Sequence, residues 1–222
     1  AECTISTSVW GSNIEFTNNQ NALLSSFLTY HNADELQDII SSCAERLMEE
    51  DVPEFIKASL DDFYFFDCDG DGEEEMLTVL ELHDINNGFL NSCAVYYVDN
   101  SEVSFISDGV HRHRSVFFAA VDSQPFVIFA EIPGMGYSVD PVIEAEKAFT
   151  FSNGGFVPYD PPERKSLCVR VGGNGSRLYL FNTDVNKDTE YYYMDEIASG
   201  DVEQTLGWVN GELKVIDGFE AE

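Results

Sequence analysis

Short apolar runs separated by turn residues constrain the fold of this chain more than any other feature. Over residues 63–222, runs rich in Phe, Tyr, Val and Ile alternate with Gly, Asn, Asp and Pro. Such runs are typical of strands in antiparallel sheets, and Asn210-Gly211 predicts a two-residue hairpin turn. The predicted strands are 63–66, 76–82, 93–98, 102–107, 115–121, 125–131, 147–151, 166–171, 177–181, 190–194, 205–209 and 212–216.

The first 62 residues show helical spacing instead, after a short predicted strand at 4–10. Apolar residues three and four positions apart predict a helix over residues 21–30. A second helix is predicted after Asn32, because Asn32 and Glu35 can form a capping box ahead of an apolar face. Together with the strands, these helices predict an α+β fold.

A third, short helix is predicted to begin near Pro53, because proline suits the first turn of a helix. Its apolar side would be Phe55, Ile56 and Leu60. We therefore expect a helical part over residues 1–62 that packs on an antiparallel β part over residues 63–222, the two forming one compact domain. A propeller-like or duplicated arrangement of β units is the finer expectation.

The charge balance is strongly acidic, with 41 acidic residues against 11 basic ones and a formal net charge of −30. Such a surface repels nucleic acid and anionic membranes and attracts cations and basic proteins. Three interpretations follow: a cation-binding protein, a protein that blocks a basic partner, or solubility in salt. No apolar run is long enough to predict a transmembrane helix.

Five cysteines are scattered along the chain, and none forms a Cys-x-x-Cys pair. This spacing disfavours a zinc ribbon. An odd number leaves at least one free thiol in a monomer, and we predict that Cys43 and Cys93 are buried thiols.

The most specific chemistry lies in the acidic loop, which we define as residues 67–75. Carboxylates alternate along its first five positions, and Gly72 follows where the backbone must turn sharply. Calcium takes six to eight oxygen ligands, whereas magnesium keeps its waters and rarely uses such a loop. The sequence therefore predicts a Ca²⁺ site, with the carbonyl of Glu73 as one ligand. The predicted metal ligands are Asp67, Asp69, Asp71, Glu73 and Glu75.

The acidic loop resembles the first half of an EF-hand, but Thr78 stands where an EF-hand has its bidentate glutamate. It is more similar to the integrin-type β-propeller calcium loop, Asp-x-Asp-x-Asp-Gly-x-x-Asp/Glu, which lies between strands and closes at the position of Glu75. Over residues 33–107, the chain resembles secreted or lipid-anchored proteins of Gram-positive gut bacteria. This resemblance implies a bacterial protein that is exported or held at the cell surface.

A second segment, residues 178–190, aligns with residues 63–75 without a gap. Its polar side chains offer ligand oxygens at matching positions, but Lys187 replaces Gly72 and brings a positive charge. The segment predicts a weaker second metal site in a duplicated unit, and a chance similarity of two acidic hairpins is the alternative. The candidate ligands are Asn182, Asp184, Asn186, Asp188 and Glu190.

No catalytic residues are assigned from the sequence. A zinc pair at His111 and His113 is better explained as a polar strand end. An acid/base pair at His83 and Asp84 is better explained by the turn that follows at Asn86-Asn87-Gly88. The leading hypothesis is a non-enzymatic, exported calcium-binding protein in which the ion orders a β-hairpin and an interaction surface. The alternatives are an acidic inhibitor of a basic partner, such as a toxin-neutralising protein or nucleic-acid mimic, and a glycan-acting enzyme with structural calcium.

Overall fold

The computed structural model divides the chain into two compact units, residues 1–112 and 113–222. Each unit is β-rich, and the helices among the described residues lie in the first, so the α+β expectation is confirmed at this level. Among the described residues, no helix is long and apolar enough to cross a membrane. The structure describes residues 2–7, 16–30, 34–39, 41, 55–84, 88–110, 116–130, 142–161, 163, 165–172, 175–182, 191–192, 205–209 and 212–217.

The first unit is built on a five-stranded sheet with the order β1-β2-β3-β4-β5. Strands β2 to β5 are antiparallel neighbours, whereas β1 pairs with β2 in parallel. The sequence did not predict the parallel pair. The elements are β1 (Glu2–Thr7), α1 (Asn18–Tyr30), a helical segment at 34–39, β2 (Phe55–Phe66), β3 (Glu75–Asp84), β4 (Gly88–Asp99) and β5 (Glu102–Val110).

The third predicted helix is wrong, because Phe55 to Leu60 form the first half of β2. The predicted boundary at residue 62 also falls within this strand. Pro53 and the apolar residues after it suit a helix start as well as a strand, and a register shift between Leu60 and Asp62 interrupts the alternation along β2. Before the shift Ala58 and Leu60 face the core, and after it Phe63 and Phe65 pack on the same core. An extra residue in one strand thus interrupts the period of two that sequence reading relies on.

The core of the first unit lies between the sheet and the helices. Leu23 and Phe27 of α1 are buried in it beside Leu36 and Ile39 of the second helical segment. From the sheet it includes Met76, Leu80 and Leu82 of β3 and Ala94, Tyr96 and Val98 of β4. On the opposite face of these strands, Leu77, Val79, Val95 and Tyr97 are buried as well. The central strands are therefore buried on both faces.

Helix α1 begins with a capping box that the sequence analysis did not identify. The Gln20 amide donates to Thr17 Oγ1 at 3.2 Å, and the Thr17 amide donates to Gln20 Oε1 at 2.9 Å. This reciprocal pair satisfies two of the free N–H groups at a helix start. Phe16, the residue before the cap, packs its ring edge-on against Phe63 and Phe65 of β2. The start of α1 is therefore tied to the strand that leads into the acidic loop.

The second unit contains two four-stranded sheets, with the orders β10-β9-β7-β6 and β12-β11-β8-β13, and a separate β14–β15 hairpin. A single apolar core joins the two larger sheets, with Phe126 and Ile128 from one and Val169 and Leu180 from the other. The strands are β6 (Val116–Val121), β7 (Gln124–Phe129), β8 (Val142–Glu144), β9 (Lys147–Ser152), β10 (Gly155–Pro158), β11 (Lys165–Gly172), β12 (Gly175–Asn182), β13 (Tyr191–Tyr192), β14 (Thr205–Val209) and β15 (Glu212–Asp217).

Each predicted strand coincides with at least part of an observed one, but β8 and β10 were not predicted. β10 follows a two-residue turn in which Asn153 and Gly154 have φ of 54° and 82°. Two positive φ values mark a type I′ hairpin, which Asn-Gly favours. The predicted hairpin at Asn210-Gly211 agrees with the observed register, in which Val209 pairs with Glu212.

Candidate metal centre

The acidic loop joins the end of β2 to the start of β3, and the Phe66–Glu75 pair closes it. Two glycines make the required turns, since Gly70 has a φ of 81° and Gly72 a φ of 93°. Side chains other than glycine rarely adopt this conformation. The predicted turn at Gly72 is confirmed, and Gly70 is a second turn that the sequence analysis did not identify.

The loop brings three of the predicted ligands together. One carboxylate oxygen from each of Asp67, Asp69 and Asp71 lies within 4.8 Å of the others. Calcium–oxygen distances of about 2.3–2.6 Å allow two ligands of one ion to be at most about 4.6–5.2 Å apart. The three carboxylates are therefore close enough together to hold one metal ion.

Backbone N–H groups of the loop hold these carboxylates in position. Asp67 accepts from the amides of Gly70 and Gly72 at 2.7 and 3.1 Å. Asp69 accepts from the Asp71 amide at 3.0 Å, and Asp71 accepts from the Glu73 amide at 2.7 Å. Such bonds between a carboxylate and a nearby amide are characteristic of tight turns. They fix the side chains close together before any ion binds.

Glu75 lies behind the loop rather than among the three aspartates. Its side chain is buried, and its Oε2 accepts from the Cys68 amide at 2.6 Å. Burial raises the pKa of Glu75 to about 7, although the Cys68 amide opposes the shift, and the nearby Asp69 carboxylate adds to the rise. A buried carboxylate beside other anions is costly unless it is protonated or a cation is near.

The surroundings of Glu75 add negative charge. Burial and then Glu75 raise the pKa of both the Cys68 thiol and the Tyr97 hydroxyl. The chain has no lysine or arginine between Lys57 and Arg112, so no basic residue close in sequence can offset the loop. The acidic loop is thus a concentrated anionic site, which favours a bound cation.

The N-terminal turn of α1 contacts the loop at Glu74. Asn19 Nδ2 donates to the Glu74 carbonyl at 3.0 Å, and Gln20 Nε2 donates to Glu74 Oε2 at 2.9 Å. Helix α1 has no acidic residue in its own first turn, so Glu74 supplies the negative charge that a helix N-terminus favours. The sequence analysis missed these contacts, although the Thr17-x-x-Gln20 spacing was a signal for a helix start.

The predicted second site lies mostly outside the described residues. Asn182 is the last residue of β12 and pairs with Lys165 of β11. Asp184, Asn186, Asp188 and Glu190 are not among the described residues, and neither are His111 and His113. The weaker site therefore stays a prediction.

A serine, a histidine and a glutamate meet on β2 and β3, where catalysis has to be considered. His83 Nε2 lies 2.8 Å from Ser59 Oγ and 3.2 Å from Glu81 Oε2. In a serine-hydrolase triad the carboxylate contacts the ring nitrogen opposite the one that faces the hydroxyl. Here both groups contact the same nitrogen, so these three residues do not have the arrangement of a triad.

His83 itself is subject to opposing influences. The close Glu81 carboxylate favours the protonated ring, but burial and then Lys57 lower the pKa of His83, against the opposite effect of Asp61. The net shift of the His83 pKa is downward, which favours the neutral ring. We interpret this cluster as a satisfied polar group of the sheet.

The prediction that Cys93 is buried is confirmed, and the side chains of Cys68 and Cys168 are buried as well. Cys43 lies outside the described residues.

Comparisons with known proteins do not assign the chain to a family. It matches no protein-family model, no curated protein and no solved structure.

Proposed function

We propose that this chain is a calcium-binding protein without enzymatic activity, in which the ion orders the β2–β3 hairpin. Asp67, Asp69 and Asp71 would bind the ion through carboxylate oxygens, and Glu73 through its carbonyl. Glu75 would be the fifth ligand if it turned one oxygen toward the ion. Without that turn, its buried carboxylate would offset part of the ion's charge without binding it directly. The ordered hairpin would then present a surface to a partner.

The single observation that carries this proposal is the spacing of the three aspartates. Their oxygens fit around one ion, and backbone amides hold them close together despite their mutual repulsion. Like charges at this separation repel one another, and a bound cation would replace that repulsion with attraction. Oxygen-only ligands that include a backbone carbonyl suit calcium better than zinc or copper.

Export to the cell surface is part of the proposal and rests on the sequence resemblance. Sites of millimolar affinity are common in extracellular calcium modules, where the ion is abundant. The partner of the ordered surface would be a basic protein, given the net charge of −30, or a glycan. An integrin-type loop within propeller-like or duplicated β units belongs to the same proposal.

Calorimetric titration with CaCl₂, combined with thermal unfolding, tests the calcium site. The wild-type chain should melt higher with calcium than with chelator, because an ion that binds only the folded state adds about 2.7 kcal/mol at one hundred times its Kd. Asp69→Ala should abolish this gain. Glu102→Ala removes an exposed acidic side chain on β5 and should keep it.

Equal melting temperatures with calcium and with chelator would contradict the calcium proposal. Retention of a basic protein at low salt, with no response to calcium, would favour the acidic inhibitor instead. A stoichiometry of two ions per chain, reduced to one by Asp184→Ala, would support the second site and the duplication. A stoichiometry of one would argue against both.

A further inference from the structure

Two hydrogen bonds join helix α1 to the acidic loop, and both end on Glu74. Asn19 binds the Glu74 carbonyl and Gln20 binds the Glu74 carboxylate, both from the first turn of the helix. Gln20 uses its other side-chain atom, Oε1, to accept from the Thr17 amide in the capping box. One residue thus connects the start of the helix to the loop.

Glu74 lies between the last two residues that we expect to serve the ion, Glu73 and Glu75. An ion bound by both neighbours would fix the backbone on each side of Glu74. The helix would then meet a carbonyl and a carboxylate that are already in place, and docking would lose less conformational entropy. Phe16 adds apolar contact at the same place through its rings with Phe63 and Phe65.

From this geometry we infer that Asn19 and Gln20 are positioning residues for the acidic loop, so that cation binding and docking of the α1 N-terminus stabilise each other. The inference rests on the proposed function. Because coupling between two binding events is reciprocal, calcium must tighten the helix by the same factor as the helix tightens calcium.

One effect works in the opposite direction. A bound cation offsets the negative charge that attracts the positive end of the helix. Added salt weakens this opposing effect, and it does so most for charges farther apart than the Debye length of about 8 Å at about 0.15 M. We take the ordering of Glu74 by the ion as the larger effect, so the expected coupling is positive, and tighter calcium binding without Asn19 and Gln20 would show that the charge effect is larger.

The test measures CaCl₂ affinity by calorimetry on the full chain in about 0.15 M KCl. Asn19→Ala/Gln20→Ala should bind calcium about 3- to 10-fold more weakly, as expected for the loss of hydrogen bonds with modest net energies. Asn18→Ala makes the same change at the neighbouring exposed position and should bind as the wild type does. Asn19→Ala alone leaves the capping box of Thr17 and Gln20 intact. If the double variant does not fold, the calcium affinity of Asn19→Ala decides the test.

Hydrogen exchange supplies the reciprocal measurement. Calcium should slow exchange of the α1 amides in the wild type and in Asn18→Ala, and should slow it less in the Asn19→Ala variants. Equal calcium affinity in the wild type and the three variants overturns the inference but leaves calcium binding in place. The same holds if calcium does not change hydrogen exchange of the α1 amides in the wild type. A wild type that binds no calcium overturns both the proposed function and the inference.

Discussion

At the scale of single residues, Glu75 is a buried carboxylate next to the exposed carboxylates of the acidic loop. Asp69 and Asp71 are exposed, and water screens their repulsion, whereas Glu75 is buried beside them. Its carboxylate has one backbone donor, the Cys68 amide. Burial and neighbouring carboxylates raise its pKa to about 7, so this carboxyl is partly protonated at neutral pH.

This raised pKa predicts a pH dependence of stability in chelator. The folded-state pKa of Glu75, about 7, is above the ordinary glutamate value of 4.5. The protonated Glu75 side chain therefore contributes fully to the free energy of unfolding below the unfolded-state pKa. This contribution is lost as the pH rises through the folded-state pKa of about 7. Relative to Glu75→Gln, the wild type should lose free energy of unfolding between about pH 5 and pH 8 in urea titrations. A difference between the two proteins that stays constant over this range would contradict the prediction.

The turn at Gly72 predicts a cost for any side chain, even though space is available. An added Cβ at Gly72 would meet no atom within 4 Å, but its φ of 93° strains other residues. Gly72→Ala should lower the free energy of unfolding in chelator by about 1 kcal/mol. Gly155→Ala is the matched control, because Gly155 has equal space and no such φ, and it should be neutral. Similar losses in both variants would mean that strain at Gly72 is not the cause.

At the scale of elements, α1 joins the core of the first unit to the acidic loop. Its inner face carries Leu23 and Phe27 into the core, and its first turn reaches Glu74. The Phe27 ring packs 5.4 Å from that of Tyr96 on β4, between centroids. One helix therefore stabilises the sheet and restrains the loop, and most of its stability comes from the buried face rather than from propensity.

Two leucines on α1 give an internal comparison of buried and exposed positions. Leu23 is 2% exposed, whereas Leu28 is 38% exposed on the same helix. Leu23→Ala should lower the free energy of unfolding by about 2–5 kcal/mol, because it removes buried surface and leaves a cavity. Leu28→Ala should change it by less than about 0.5 kcal/mol, as surface substitutions usually do. Equal losses in urea unfolding would show that α1 does not dock through this face.

At the scale of the whole molecule, a chain with a strong negative net charge folds into two compact units. The first unit has a core between its sheet and helices, and the second has a core between two sheets. A net charge of −30 opposes compaction through self-repulsion, and each core must offset part of that repulsion.

This repulsion predicts that salt stabilises the protein even without calcium. Raising KCl from about 0.05 M to about 0.5 M in chelator should raise the melting temperature, because screening shortens the range of repulsion. Calcium should add a further rise at concentrations too low to change the ionic strength, and magnesium at equal concentration should add less. A melting temperature independent of KCl would contradict the role of net charge.

The sequence determined features that depend on neighbours along the chain. Short apolar runs bounded by turn residues identified most strands, and the spacing of Asp67, Asp69 and Asp71 identified the residues that meet in the loop. Both are local signals, because a short strand and a tight turn are each set over a few residues. Cys93, within an apolar run, was likewise recognisable as buried.

Only the tertiary structure decided the features that join distant segments. The parallel pairing of β1 with β2 and the register shift after Leu60 depend on contacts that no local period encodes. Residues 55–60 were therefore read as a helix, since a proline and three apolar residues suit either state. The contacts of Asn19 and Gln20 with Glu74 join residues 55 and 54 positions apart, and Glu75 of β3 is buried near Asp99 of β4. Local spacing brought the three aspartates together. Packing of the surrounding elements decided that Glu75 is buried while Asp69 and Asp71 are exposed, and that α1 contacts the loop at Glu74.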